Sequence, residues 1–233
     1  MEYEILITGA NRGLGLALTE KLLAAGHHIY AIQRRVSHEL SILQEKHPRS
    51  LHLYPGDVSD ERSIRQVLQE VAGQVDRLDI VLNNAAINLE RFGPLLEQVD
   101  FSIYMPTYQV NAIGPLMVVR YALPLLRFGK KKLIVNISSE AGSIGASRRT
   151  REYSYCMSKA ALNMSSRILQ NALREEGIKV LALQPGWFSS DMGGAEAPIT
   201  PAQAAQAVMQ LVLDPPGLDG PIFVTANGEP LEW

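Results

Sequence analysis

The sequence predicts a doubly wound α/β fold, and three observations carry the prediction. Short apolar runs recur along the 233 residues. Helix-length segments lie between most of them, and a glycine turn joins the first run to the first such segment. Strands buried on both faces of a parallel sheet read as near-continuous apolar runs, because helices cover both sides. Their alternation with helices is the pattern of strand-helix-strand crossover units.

The runs occupy residues 3–8, 28–33, 50–54, 78–82, 132–137, 178–184 and 221–224. A helix over 14–25 follows the first run and stops at Gly26. A second, over 61–75, sets Ile64, Val67, Leu68 and Val71 on one face. A long helix over 154–176 stops at Gly177, glycine being the commonest residue just past a helix end. Thr8, Gln33, Asp57, Asn83 and the pair Ser138 and Ser139 fall at the carboxyl ends of the strands. Open α/β sheets gather their ligands at those ends.

No linker, charge block or internal repeat divides the chain, so one domain over 1–233 is expected. With 46% hydrophobic and 20% charged residues the composition is that of a globular protein with a sizeable core. A formal net charge of -2 gives no general reason to expect nucleic acid as a partner, and Lys130, Lys131 and Lys132 read as a solvated loop before a strand. The single Cys156 cannot form an internal disulfide. The start runs directly into an apolar strand without a signal peptide, and no apolar run approaches the ~18 residues of a membrane span. A cytoplasmic location is expected. His27, His28, His38, His47 and His52 pair with no acid or Cys at ligand spacing, so no metal site is expected.

Gly9, Gly13 and Gly15 lie between the first strand and the first helix. Bare backbone there can approach a pyrophosphate held at the helix amino end. NAD sites usually carry an acid at the end of the second strand to hold the ribose 2'-hydroxyl. This chain has Gln33 there, followed by Arg34 and Arg35, with Arg12 inside the glycine turn. A carboxylate repels a 2'-phosphate and guanidinium groups bind one, so NADPH is the expected cofactor.

Tyr155 and Lys159 stand four residues apart and share one helix face. A free tyrosine titrates near ~10, so proton transfer at neutral pH calls for a positive charge beside it, which Lys159 is placed to supply. Ser139 can polarise a carbonyl; Ser138 is its competitor, as Tyr153 is for Tyr155. Together these residues suggest carbonyl reduction by hydride transfer, with Tyr155 delivering the proton.

The stretch T-G-A-N-R-G-L-G from Thr8, N-N-A at Asn83 to Ala85, Asn111, Ser139 and Y-C-M-S-K together resemble the short-chain dehydrogenase/reductase family over essentially the whole chain. The resemblance implies a Rossmann-like sheet of seven parallel strands and a catalytic tetrad of Asn111, Ser139, Tyr155 and Lys159. It places Asn111 at the start of a long fourth helix, positioning a water that connects Lys159 to solvent. It also implies cofactor contacts from Asn11, Leu14 and Ala85 around the glycine turn and the N-N-A segment, from Asp57 and Val58 to the adenine, and from Asn83 on the adenosine side. Pro185, Gly186 and Ser190 would reach the nicotinamide, and Lys159 its ribose. Asp57 also reads as a turn or helix cap.

The stretches S-S-E-A-G-S-I-G and Q-P-G-W-F-S-S-D-M-G-G and the terminal G-E-P-L-E-W resemble the sniffer-type carbonyl reductases and the related C-factor proteins. Two departures are visible: N-N-A-A replaces the commoner N-N-A-G, and Ser190 stands where a threonine is frequent. Neither removes a catalytic group.

Trp187, Phe188 and Met192 fall where the family builds a substrate lid, here short because Thr200 and Pro201 already start the next helix. Arg148, Arg149 and Arg151, with Glu152 opposing them, read either as solvated charges or as an anion-binding rim. The second reading favours acidic or quinone-like carbonyls. Two functions follow: an NADPH-dependent carbonyl reductase, or a cofactor-binding regulator of the C-factor type. Pairing into a homodimer or homotetramer through the fourth and fifth helices is the family expectation.

Overall fold

The computed structural model describes residues 1–90 and 93–233. Strands β1 (Glu4–Thr8), β2 (His28–Gln33), β3 (Leu51–Pro55), β4 (Ile80–Asn83), β5 (Leu133–Ile137), β6 (Lys179–Gln184) and β7 (Phe223–Thr225) form one parallel sheet in the order β3-β2-β1-β4-β5-β6-β7. The helices are α1 (Gly13–Ala24), α2 (His38–Lys46), α3 (Glu61–Ala72), α4 (Tyr104–Tyr108), α5 (Gly114–Leu126), α6 (Tyr153–Leu173) and α7 (Pro201–Leu213). This is the doubly wound, Rossmann-like arrangement expected from the sequence.

The pleat of β1 divides the core in two. Ile5 and Ile7 pack among Leu14, Leu18 and Leu22 of α1 and Val208 and Val212 of α7. Leu6 faces the other way, toward Ile64, Val67 and Leu68 of α3 and Val118 and Ala122 of α5. Burial of each such side chain contributes roughly 1.5–3 kcal/mol. At the amino edge of the sheet the fully buried Asp79 accepts the backbone amides of Glu4 at 2.8 Å and Lys130 at 2.6 Å, joining β1 to the start of β5. β4 begins at Ile80, although the apolar run starts at Leu78. Helix α2 was not among the expected segments; it is capped by Ser37 and buries only Leu40 and Leu43.

One expectation needs correction. Asn111 does not start a long helix but sits in a π-helical segment, Gln109–Ile113, between α4 and α5. Pro115 has no N–H to reach back four residues to the Asn111 carbonyl, and the Gly114 amide bonds Gln109 five residues back instead. The apolar stretch 113–126 lies mostly on the sheet through Val118, Val119, Ala122 and Leu126, leaving Ile113 and Leu116 exposed. Among the described residues no helix is long and apolar enough to cross a membrane.

Candidate active site

The glycine turn is held from the β4 side. Gly9 has φ +71°, and a Cβ there would stand 2.9 Å from the Cα of Ala85. A Cβ on Gly15 would stand 2.1 Å from the Gly9 carbonyl oxygen. The Thr8 hydroxyl accepts the amides of Asn84 at 3.1 Å and Ala85 at 3.0 Å, while the Asn84 side chain donates to the carbonyls of Thr8 and Gly9 at 3.0 and 3.1 Å. No side chain caps the start of α1, so its first amides remain available to an anion.

From this turn a groove of about 1530 Å³ runs over the carboxyl ends of the strands. Gly9, Asn11, Arg12, Gly13, Leu14 and Gly15 line one end; Arg34, Asp57, Val58 and Ala85 follow. At the other end stand Ser139, Tyr155, Lys159, Pro185, Gly186 and Ser190. Asn83 and Asn111 are not in the lining. Asn83 is 2% exposed and its amide donates to Asn136 Oδ1 at 2.8 Å, so its side chain makes a β4–β5 contact. Its neighbour Asn84 lines the groove. Asn111 accepts the Ile87 amide and donates to the Ile87 carbonyl, both at 2.8 Å, and donates to Ser158 Oγ at 3.0 Å. It thereby ties the loop after β4 to α6, one residue from Lys159.

The helix α6 brings Tyr155 and Lys159 to one face, and the turn after β5 brings Ser139 to them. Burial pushes the Tyr155 phenol well above its ordinary range, with a hydrogen bond to Ser139 opposing that rise. Lys159 is 2% exposed, donates to the Ile137 carbonyl at 2.8 Å and has its Nζ 5.7 Å from the Tyr155 ring centre. Desolvation pushes its ammonium down to about 7. Ser138 donates to Asn163 Oδ1 at 2.6 Å, which occupies its hydroxyl. Ser139 donates to the Glu140 carboxylate at 2.7 Å and accepts the Ala141 amide at 3.1 Å.

The lid after β6 is folded on itself. The Trp187 indole donates to the Gly193 carbonyl at 2.8 Å, Ser190 Oγ accepts the Gly193 amide at 2.8 Å, and Ser189 N donates to Ile199 O at 2.9 Å. Across the groove mouth the Arg12 guanidinium pairs with Asp191 of this lid. Arg12 thus points at the lid through one of its terminal nitrogens. Asp57 Oδ1 accepts the amide and hydroxyl of Ser59 at 2.9 and 2.6 Å, the turn-capping role also open to it.

Sequence reasoning singled out Gln33 only as the absence of an acid. It is 3% exposed in the groove wall, and neither atom of its side-chain amide has a hydrogen-bond partner. A buried amide left unbonded costs about 1–3 kcal/mol, so a ligand that engages it recovers that cost. Glu140, Glu152, Asn84 and Asn88 were also missed as groove residues. Their partners lie on other loops, and no local spacing announces them. Among the described residues no group of three or more His, Cys, Asp or Glu side chains is gathered to hold a metal.

Comparison with known proteins agrees with this geometry. The short chain dehydrogenase family matches residues 4–198. The C-signal protein of Myxococcus xanthus is 35% identical over 135 residues, covering 58% of this chain and 80% of that protein. The structure of the carbonyl reductase Sniffer of D. melanogaster superposes with a TM-score of 0.91 at 29% identity, covering 100% of both chains. An NADPH-bound carbonyl reductase from chicken fatty liver superposes at 0.89 with 30% identity over 99% of both. With seven parallel strands, a glycine turn under a dinucleotide-sized groove and a family match over most of its length, the chain belongs to the short-chain dehydrogenase family of oxidoreductases and resembles the sniffer carbonyl reductases.

Proposed function

We propose that the protein is an NADPH-dependent reductase of ketones, aldehydes or quinone-like carbonyls, with Tyr155 as general acid. The observation that carries this reading is the meeting of Tyr155, Ser139 and Lys159 at one end of a groove whose other end is the glycine turn. The residues fit a phosphorylated dinucleotide. A side chain at Gly9 or Gly15 would fill the cradle, the Gln33 amide lacks a partner, and Arg34 and Arg35 follow it with no acid at the end of β2. Asn11, Arg12, Leu14, Asp57, Val58 and Ala85 complete that end; Pro185, Gly186 and Ser190 would hold the nicotinamide.

When bound, NADPH supplies the hydride. Turned from Glu140, the Ser139 hydroxyl would donate its single proton to the substrate carbonyl oxygen and stabilise the negative charge that develops there. Tyr155 gives its phenolic proton to the same oxygen. Its raised pKa suits a donor that must hold the proton until the alkoxide forms, and Lys159 in its charged form eases the departure. Asn111 acts at one remove, fixing the Ile87 loop and the Ser158 turn beside Lys159.

The test is NADPH oxidation across aldehydes, ketones and diketones. Tyr155→Phe should lose about 10²–10⁴ in kcat while retaining NADPH binding; an unchanged kcat would sink the assignment. The similarity to the C-signal protein favours a second reading, a cofactor-binding regulator. Tight NADPH binding with no turnover on any carbonyl would select it.

We also infer self-association. Met157, Met164 and Ile168 form an exposed stripe on α6, with Ile113 exposed at the end of the π-helical segment and Leu116 in the first turn of α5. That spacing is an apolar helix face without a partner in the single chain, suited to a second copy.

A further inference from the structure

The wall beside Ser139 is a chain of charged contacts. Ser139 Oγ donates to Glu140 Oε2 at 2.7 Å, and Arg149 Nη2 donates to Glu140 Oε1 at 2.5 Å. The other terminal nitrogen of Arg149 pairs with Glu152 Oε2, and Glu152 Oε1 accepts from Asn88 Nδ2 at 2.8 Å. All five residues line the groove, and they come from the loop after β4, the turn after β5 and the entry to α6. Glu152 holds φ +62°, a left-handed conformation uncommon outside glycine. Its two side-chain partners help to offset that conformational cost. Burial raises the Glu140 carboxyl, but the bonds from Ser139 and Arg149 outweigh it and keep the group below its ordinary range.

The charge sum decides what this wall accepts. Two carboxylates flank one guanidinium, leaving the wall itself one net negative charge, and Arg149 already serves both; the neighbouring Lys159 ammonium is 2% exposed and bonded to the Ile137 carbonyl, so it is not an open partner for a substrate carboxylate. Arg148 and Arg151 do not compensate: they bond the carbonyls of Ser147 and Gly93 and lie outside the groove lining. The anion-binding rim open on the sequence is therefore disfavoured.

We propose that Glu140, Arg149 and Glu152 form a charge filter that admits carbonyl compounds without negative charge near the reacting carbon and rejects carboxylate-bearing ones. The inference rests on the carbonyl-reductase reading and adds its substrate class. Glu140 and Glu152 are specificity-determining residues here. One unit charge at about 6 Å, with an effective dielectric between ~20 and ~80, corresponds to roughly threefold to a hundredfold in kcat/KM. Salt reduces the effect.

Three aldehydes of one scaffold test it: 4-carboxybenzaldehyde, its methyl ester and 4-(trimethylammonio)benzaldehyde, each with NADPH at low and high salt. The native chain should favour the ester and the ammonium over the carboxylate by threefold or more, less so at high salt. Glu152→Gln, which keeps an acceptor for Asn88, and Glu140→Gln should each move the carboxylate-to-ester ratio toward one. Because the ratio is taken within one variant, a general loss of rate cancels. A carboxylate used as well as the ester, or a ratio unmoved by both substitutions, overturns the filter. If none of the three turns over, the reductase reading is judged separately on ketones and diketones, and the filter by quenching of tryptophan fluorescence on binding to the NADP-loaded chain: the same order of affinities sustains it, equal affinities overturn it.

Discussion

At the scale of single residues, burial of Lys159 has a measurable cost. Its folded pKa is lowered to about 7, whereas an unfolded lysine titrates near ~10.4. Between those values the unfolded chain binds more protons, so this group's contribution to stability improves as pH rises through the window and is least favourable below it. Lys159→Met should therefore raise Tm in the ligand-free chain most at pH 6, by about 2–4 °C per kcal/mol recovered, with the advantage shrinking by pH 10. An equal difference at both pH values would refute the account. Gln33 makes a second prediction. Gln33→Glu places a carboxylate at the end of β2, and fluorescence titration should show NADPH binding weakened by at least ~10-fold relative to NADH. The spacing of Tyr155 and Lys159 was legible because it is fixed within one helix. Which of the two consecutive asparagines turns its side chain to the groove was not legible, because strand alternation decides it and that depends on where β4 ends; Asn84 lines the groove and the Asn83 side chain bonds Asn136.

At the scale of elements, the stitch between the glycine turn and the loop after β4 is the junction most exposed to mutation. Asn84→Ala removes both side-chain bonds to the Thr8 and Gly9 carbonyls, and an unpaired buried polar group costs about 1–3 kcal/mol. Denaturant unfolding should show a loss of that size, and NADPH affinity should fall with it; an affinity unchanged at lowered stability would mean that the turn keeps its shape alone. The strands were legible because burial on both faces demands continuous apolar runs. Helix α2 was not, since only two of its residues are buried, and neither was the π-helical segment. That segment needs the conjunction of a missing N–H at Pro115 with the anchoring of Asn111 to a loop 24 residues earlier.

At the scale of the whole molecule, the exposed face of α6 should show itself in oligomeric state. Light scattering should give a multimer that Ile168→Glu shifts toward monomer with the circular dichroism spectrum intact; an unchanged mass for the variant would place the interface elsewhere. The sheet and its ligand-binding edge were legible in the order of runs, whereas the groove wall was not. Arg12 and Asp191 are 179 positions apart, and only the completed sheet makes them neighbours. That same strand order has a consequence for biosynthesis. β1 is an interior strand of the sheet, yet its second neighbour, beginning with Ile80 opposite Ile5, is made some 75 residues later. Until then a nascent chain presents the hydrogen-bonding edge of β1 unpaired, a template for other chains. Slow translation between β3 and β4 should therefore cost yield through aggregation more than the same delay placed after β5.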